Sequence, residues 1–271
     1  LLAPAAGGGL PALGAPQLLG ALACTALVAT LGGTAIADGV PGFLGTAIAS
    51  MVGAVCAAVV MVTGAPAAGV AAVGVAVVMA FSPLIPVLSF RLARVPLPSM
   101  PTNAEELRGD NQRLDSASVL ERTGAARRYA TGMIVGVALV GAGAHALFVA
   151  DGRWIAVVMS VVLAFTQLMR ARVFQGVGQR LWLLLVGLAA LGAVAVAVGV
   201  AVGGVASVAM VLGLLWTAMV VVGMGVWLPG GRPSPFWGRA ADILEWALIV
   251  ALVPLALGVL EVYAWVRGLA G

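Results

Sequence analysis

The sequence predicts an all-α protein, a polytopic transmembrane helical bundle of eight spans. Three observations carry that expectation. The chain has 271 residues, of which 62% are hydrophobic and 9% charged, and its mean hydropathy is +1.14. A soluble domain is nearer half apolar and about a quarter charged, so no water-soluble fold could hide this much apolar surface. The apolar residues also fall in runs of the roughly 20 that an α-helix needs to cross hydrocarbon. Finally, the runs are interrupted by one long polar segment, which holds Arg91, Arg94, Arg108, Arg113, Arg122, Arg127 and Arg128, half of all the basic residues.

The elements follow in order. Residues 1–16 are broken by Pro4, Pro11, Pro16 and the run Gly7-Gly8-Gly9, which reads as a loop. No charged n-region precedes the first apolar run, so that run is not read as a signal peptide, and the chain is read as part of a longer protein. The first span covers about 17–36 and ends at Asp38-Gly39; the second covers about 43–62. The third covers about 66–92, where Pro83 and Pro86 predict a kink. The loop 93–128 follows. Pro96, Pro98 and Pro101 make its start extended, and Thr102-Asn103-Ala104-Glu105 has the form of a capping box. A second helical stretch, 117–128, runs into the fourth span at about 129–149. After the turn Asp151-Gly152-Arg153 the fifth span covers about 154–169, and 170–180 reads as a short basic loop. The sixth and seventh spans, about 181–200 and 205–228, flank Gly203-Gly204. A Pro/Gly loop over 229–242 leads to the last span, about 243–266, with Pro254 near its middle.

Arginine placement orients the bundle. With loop 93–128 cytoplasmic, alternation puts Asp38, 170–180 and 232–239 inside as well, so twelve of the fourteen arginines lie inside and only Arg153 and Arg267 outside. That is the positive-inside bias, and it places the C-terminus outside. The same arrangement puts Trp154, Tyr263 and Trp265 at one interface and Tyr129, Trp182 and Trp227 at the other, as an aromatic belt requires. Because the arginines lie between apolar spans, the net charge of +4 does not indicate nucleic acid.

Few polar residues fall inside the spans. His145 lies in the fourth, near its outer end, and Glu245 and Glu261 lie near the two ends of the last. An ionisable group in a membrane is a candidate functional residue, but a proton or ion pathway needs several near the midplane. These three are therefore read as interfacial or helix-contact residues, and Asp242 with Glu245 as acidic groups in the first turn of the last span, with Arg239 as a partner. One histidine and two intramembrane thiols, Cys24 and Cys56, offer no metal set, so no metal or cofactor is expected and both thiols are read as free. No catalytic constellation can be assembled from a single histidine, and no glycine cluster has the form of a phosphate loop. Gly132 and Gly136 form a GxxxG that lets helix backbones approach, within the chain or between copies. On residues alone two functions stay open, a scaffold subunit and a small-molecule secondary transporter. A transporter predicts inverted repeats and broken helices meeting near the midplane, for which Pro83, Pro86 and Pro254 are the only candidates.

Two runs resemble a known family. Pro96-Leu-Pro-Ser-Met-Pro-Thr-Asn-Ala-Glu-Glu-Leu-Arg108 is similar to the central cytoplasmic loop of EccD, the polytopic membrane subunit of actinobacterial type VII (ESX) secretion systems. Ser234-Pro-Phe-Trp-Gly-Arg-Ala-Ala-Asp-Ile-Leu-Glu245, followed by Val253-Pro254 and Tyr263-Ala-Trp-Val-Arg-Gly268, resembles the same family's last span. The resemblance implies a non-catalytic scaffold in the plasma (inner) membrane. It implies EccB, the EccC ATPase, EccE and a second EccD copy as partners, and a frame that encloses membrane lipids. It further implies a cytoplasmic ubiquitin-like domain and three spans before Leu1, and that odd number agrees with the arginine-derived orientation. Thr102, Glu105, Glu106, Arg108, Asp110 and Arg113 present mixed charge on a short solvated element, which suits a selective protein contact better than a lipid surface. Those six residues are the expected docking site for a cytoplasmic partner.

Overall fold

The computed structural model describes residues 14–36, 39–95, 116–174, 176–227 and 235–270. Every regular element among them is helical. Helix α1 (Ala15–Ile36) is followed by α2 (Val40–Thr63), which enters through Gly39 at φ 69° and ends at Gly64 at φ 67°. Both positions are left-handed, which glycine adopts without steric cost. Helix α3 (Ala67–Phe81) stops at a 3₁₀ turn over Ser82–Leu84, and α4 (Ile85–Leu92) continues the span. The break sits at Pro83 and Pro86, whose missing N–H groups interrupt the backbone ladder. Helix α5 (Ser116–Asp151) is 36 residues long, so the stretch before Tyr129 and the span behind it form one rod. Then come α6 (Trp154–Ala171), α7 (Val177–Val202), α8 (Gly204–Trp227), α9 (Pro235–Val259) and α10 (Val262–Ala270).

Seven helical segments among the described residues are long and apolar enough to cross a membrane, close to the eight expected, and α8 contributes a shorter apolar stretch over Gly204–Trp216. The all-α, multi-span expectation agrees with this architecture. The loop read over 170–180 is shorter, since α6 runs to Ala171 and α7 starts at Val177, and both limits of the last span differ from the sequence reading. Residues 235–242, read as Pro/Gly loop, form the first turns of α9, since Pro235 at the helix start costs no hydrogen bond and Ala240-Ala241 favours helix. The last span also does not run to residue 266. It ends at Val259, and Glu261 turns the chain at φ 66° before α10 begins.

Helix α5 is central, packing against α2, α3, α4, α6 and α7, while α9 closes against α3 and α6. The fully buried side chains lie where these meet: Val75 and Met79 on α3, Ile134 and Phe148 on α5, Met159 and Leu163 on α6, Leu183 on α7, Leu252 and Val259 on α9. Helices α1 and α8 lie at the edge, the first packed on α2 and the second on α7. In hydrocarbon, helices gain little from burying apolar surface and associate through close packing and polar contacts, so small residues belong at the interfaces. Gly45 shows this directly, because a Cβ there would lie 2.7 Å from Val135 and 2.9 Å from the carbonyl oxygen of Gly132.

Candidate functional site

Helix α6 carries Ala156, Ser160, Leu163, Gln167 and Arg170 at alternating steps of four and three, which puts them on one face. All five are buried. The face meets α5 because the two helices form a hairpin about Gly152, at φ 68°. His145 lies six residues before the end of α5 and Ser160 six residues after the start of α6, so they share one depth. His145 Nδ1 is 2.8 Å from Ser160 Oγ, and Nε2 is 3.2 Å from Gln167 Oε1. The edge of Phe148 closes the histidine, with ring centroids 6.4 Å apart. Gln167 fits because Gly141 opposite it has no side chain; a Cβ there would overlap the amide nitrogen. A serine beside a histidine has the form of a nucleophile–base pair, but Ser160 is 0% exposed. The apolar cavity of about 570 Å³ between α1, α2, α3 and α5 is lined by Leu18, Leu22, Val60, Val75 and Leu147, not by this pair. Without access for a substrate, the contact acts as a polar joint between α5 and α6.

The same face ends in an ion pair. Arg170 Nη1 lies 2.9 Å from Glu245 Oε1 on α9, with side chains 8% and 7% exposed. Arg172, just beyond α6, pairs with Asp242 and reaches the second Glu245 oxygen at 3.5 Å. At the opposite end, Arg153 pairs with Asp151 at 2.7 Å and with Glu261, and donates to the carbonyl of Val259 at 3.1 Å. The Asp151 hydrogen bond raises the pKa of Arg153, so its guanidinium stays charged. Helices α6 and α9 are thus antiparallel and clasped at both ends. From Arg153 to Arg170 is about 25 Å of helix at 1.5 Å per residue, close to the roughly 30 Å of a hydrocarbon core. Between the clasps the contact is apolar and tight, with Ile155 pressed against Gly258.

A family model described as the EccD-like transmembrane domain matches residues 1–269. The chain belongs to the EccD family. Among solved structures, it is similar to a chain of "Structure of protomer 1 of the ESX-3 core complex", at 20% identity and a TM-score of 0.70, covering 93% of this chain and 58% of that one. It is also similar to a chain of "MycP5-free ESX-5 inner membrane complex, State II", at 19% identity and a TM-score of 0.60, covering 80% of this chain and 50% of that one. At these identities the likeness is one of fold, and the chain spans little more than half the length of the first structure's chain. No curated protein matches it by sequence.

Against this EccD fold the sequence-predicted residues fall as follows. His145 and Glu245 are buried helix-contact residues, and Glu261 sits at the α9–α10 turn. Glu245 is not in a first helical turn, because α9 starts ten residues earlier; its partners are Arg170 and Arg172 rather than Arg239. Gly132 and Gly136 face α2 of the same chain, against Leu44 and Ile48. Cys24 and Cys56 are free. Thr102, Glu105, Glu106, Arg108, Asp110 and Arg113, like Asp38, lie outside the described residues. Sequence reasoning missed Ser160, Gln167 and Arg170. Arg170 lies not in a basic loop but in the last turn of α6, at the end of its buried stripe.

Proposed function

We propose that this chain is the membrane-spanning scaffold of a type VII secretion complex in the plasma (inner) membrane, and that it docks partner subunits rather than carrying out chemistry or moving a small solute. The EccD family match over residues 1–269 carries the reading. The use of the buried polar side chains supports it. Arg170, Glu245, His145, Ser160 and Gln167 join helices to one another, as a frame needs, and none lines the apolar cavity. The whole subunit then includes an N-terminal ubiquitin-like domain and three spans ahead of Leu1. The loop 93–128 is cytoplasmic and the C-terminus outside, on the arginine bias. EccB, EccC, EccE and a second EccD copy are its partners, and 102–113 is the contact for a cytoplasmic one, most directly EccC. Replacing 102–113 by a Gly/Ser linker of equal length in the full-length subunit tests the docking role. The expected result is normal membrane insertion and EccD pairing with loss of EccC from the purified complex and loss of secretion. Retention of EccC with normal secretion would make the segment a tether and overturn the assignment.

A further inference from the structure

Two buried donors on one face of α6, Gln167 Nε2 and Arg170 Nε, have no acceptor among the described residues. The residues are one turn apart, with about 5–6 Å between Cβ atoms. Gln167 Oε1 meets His145, and Arg170 Nη1 meets Glu245. A buried N–H left without an acceptor is costly, and no described protein group lies within hydrogen-bond reach of either donor. Turning the Gln167 amide does not remove the demand. One heteroatom would still meet His145 and the other would still face Gly141, while Arg170 Nε is unaffected.

Charge decides what fits. Arg170 and Arg172 face Glu245 and Asp242, so the cluster is neutral, and a bound anion would bring an unpaired charge into a low-dielectric interior. Both unpartnered groups are donors, so what fits there is a small neutral acceptor, and water is one. We propose that the α5–α6–α9 interior binds ordered water at Gln167 and Arg170. This water joins the Ser160–His145–Gln167 cluster to the Arg170–Glu245 pair in one hydrated polar seam. From Ser160 to Arg170 the seam follows about 15 Å of α6, half the thickness of a roughly 30 Å hydrocarbon core.

Hydroxyl-radical footprinting with a short X-ray pulse tests this on the full-length subunit in its membrane complex, because radicals generated from bound water oxidise the side chains beside it. His145, 4% exposed and in contact with the Gln167 amide, should be oxidised, while Met79, 0% exposed in the apolar core of α3, should not be, despite the greater intrinsic reactivity of methionine. Gln167→Met, of similar shape but without the amide, should reduce labelling of His145 several-fold. If that variant does not assemble, the wild-type comparison alone decides. Labelling of His145 no greater than that of Met79 would mean a dry interior and overturn the proposal. So would labelling that Gln167→Met leaves unchanged.

Discussion

Replacing Glu245 by leucine would leave the Arg170 guanidinium buried beside an apolar side chain. The pair is direct, 2.9 Å between Nη1 and Oε1, and each side chain is less than a tenth exposed, so little water can compensate. Removing one partner of such a pair costs roughly 3–5 kcal/mol, mostly the penalty of the charge left behind. Domains of this size lose about 2–4 °C of Tm per kcal/mol, so the melt should fall by something on the order of 6–20 °C. Arg170→Met should destabilise for the mirror-image reason. The double replacement removes both charges and should return the protein to near its starting stability, or somewhat above it, since apolar replacements of buried pairs run from neutral to about 4 kcal/mol stabilising. Asp242→Asn is the internal control. Its carboxylate is 66% exposed, so loss of the Arg172 contact should cost no more than about 1 kcal/mol. Thermal melts of the purified subunit in mild detergent, followed by tryptophan fluorescence and by monodispersity, give the four values. Single replacements that melt with the wild type would refute the clasp, and so would a double variant as unstable as the two singles summed.

Two further outcomes follow from the packing and the charge pattern. Gly45→Ala should destabilise by about 1–3 kcal/mol, because its methyl would press on Val135 and the Gly132 carbonyl, whereas Gly143→Ala, with open space at its Cβ, should melt with the wild type. In a background free of Cys24 and Cys56, Ser116→Cys should resist an impermeant thiol reagent in intact cells and react in inside-out vesicles, and labelling in intact cells would invert the orientation.

Fold class and the approximate number of spans were legible because hydrocarbon demands runs of about 20 apolar residues, and few other constraints act on such runs. The break between α3 and α4 was legible for a local reason, since Pro83 and Pro86 remove two backbone donors within one turn. The limits of α9 were not. A Pro/Gly count over 229–242 could not distinguish a proline that breaks a helix from Pro235, which starts one. Nor does any sequence rule point to Glu261 as the turn, because a non-glycine residue at φ 66° is held there by its surroundings, here the Arg153 ion pair and the docking of Leu260 against Gly69.

The clasp left a signal that the topology reading obscured. Counting arginines by loop treats each as a vote for one side of the membrane, so Arg170 became one of three basic residues between spans. Helical phase gives a different answer. On α6 the buried stripe is Ala156, Ser160, Leu163, Gln167 and Arg170, and on α9 it is Glu245, Ile249, Leu252, Ala256 and Val259. Both stripes step by three and four, the period of a helix–helix seam, and each carries one charge at the end nearest the other's. An arginine closing one apolar seam and a glutamate opening another, on helices that antiparallel packing can align, marks a cross-helix pair more strongly than either residue does as an interfacial charge. Lipid gives helices no hydrophobic reason to choose one partner over another. The choice must come from shape and from the few polar groups that only one register satisfies. Sliding α9 by one turn against α6 would move Glu245 about 5.4 Å from Arg170 and strand both, so the pair that costs most to break is also the one that fixes which residues of α6 and α9 meet.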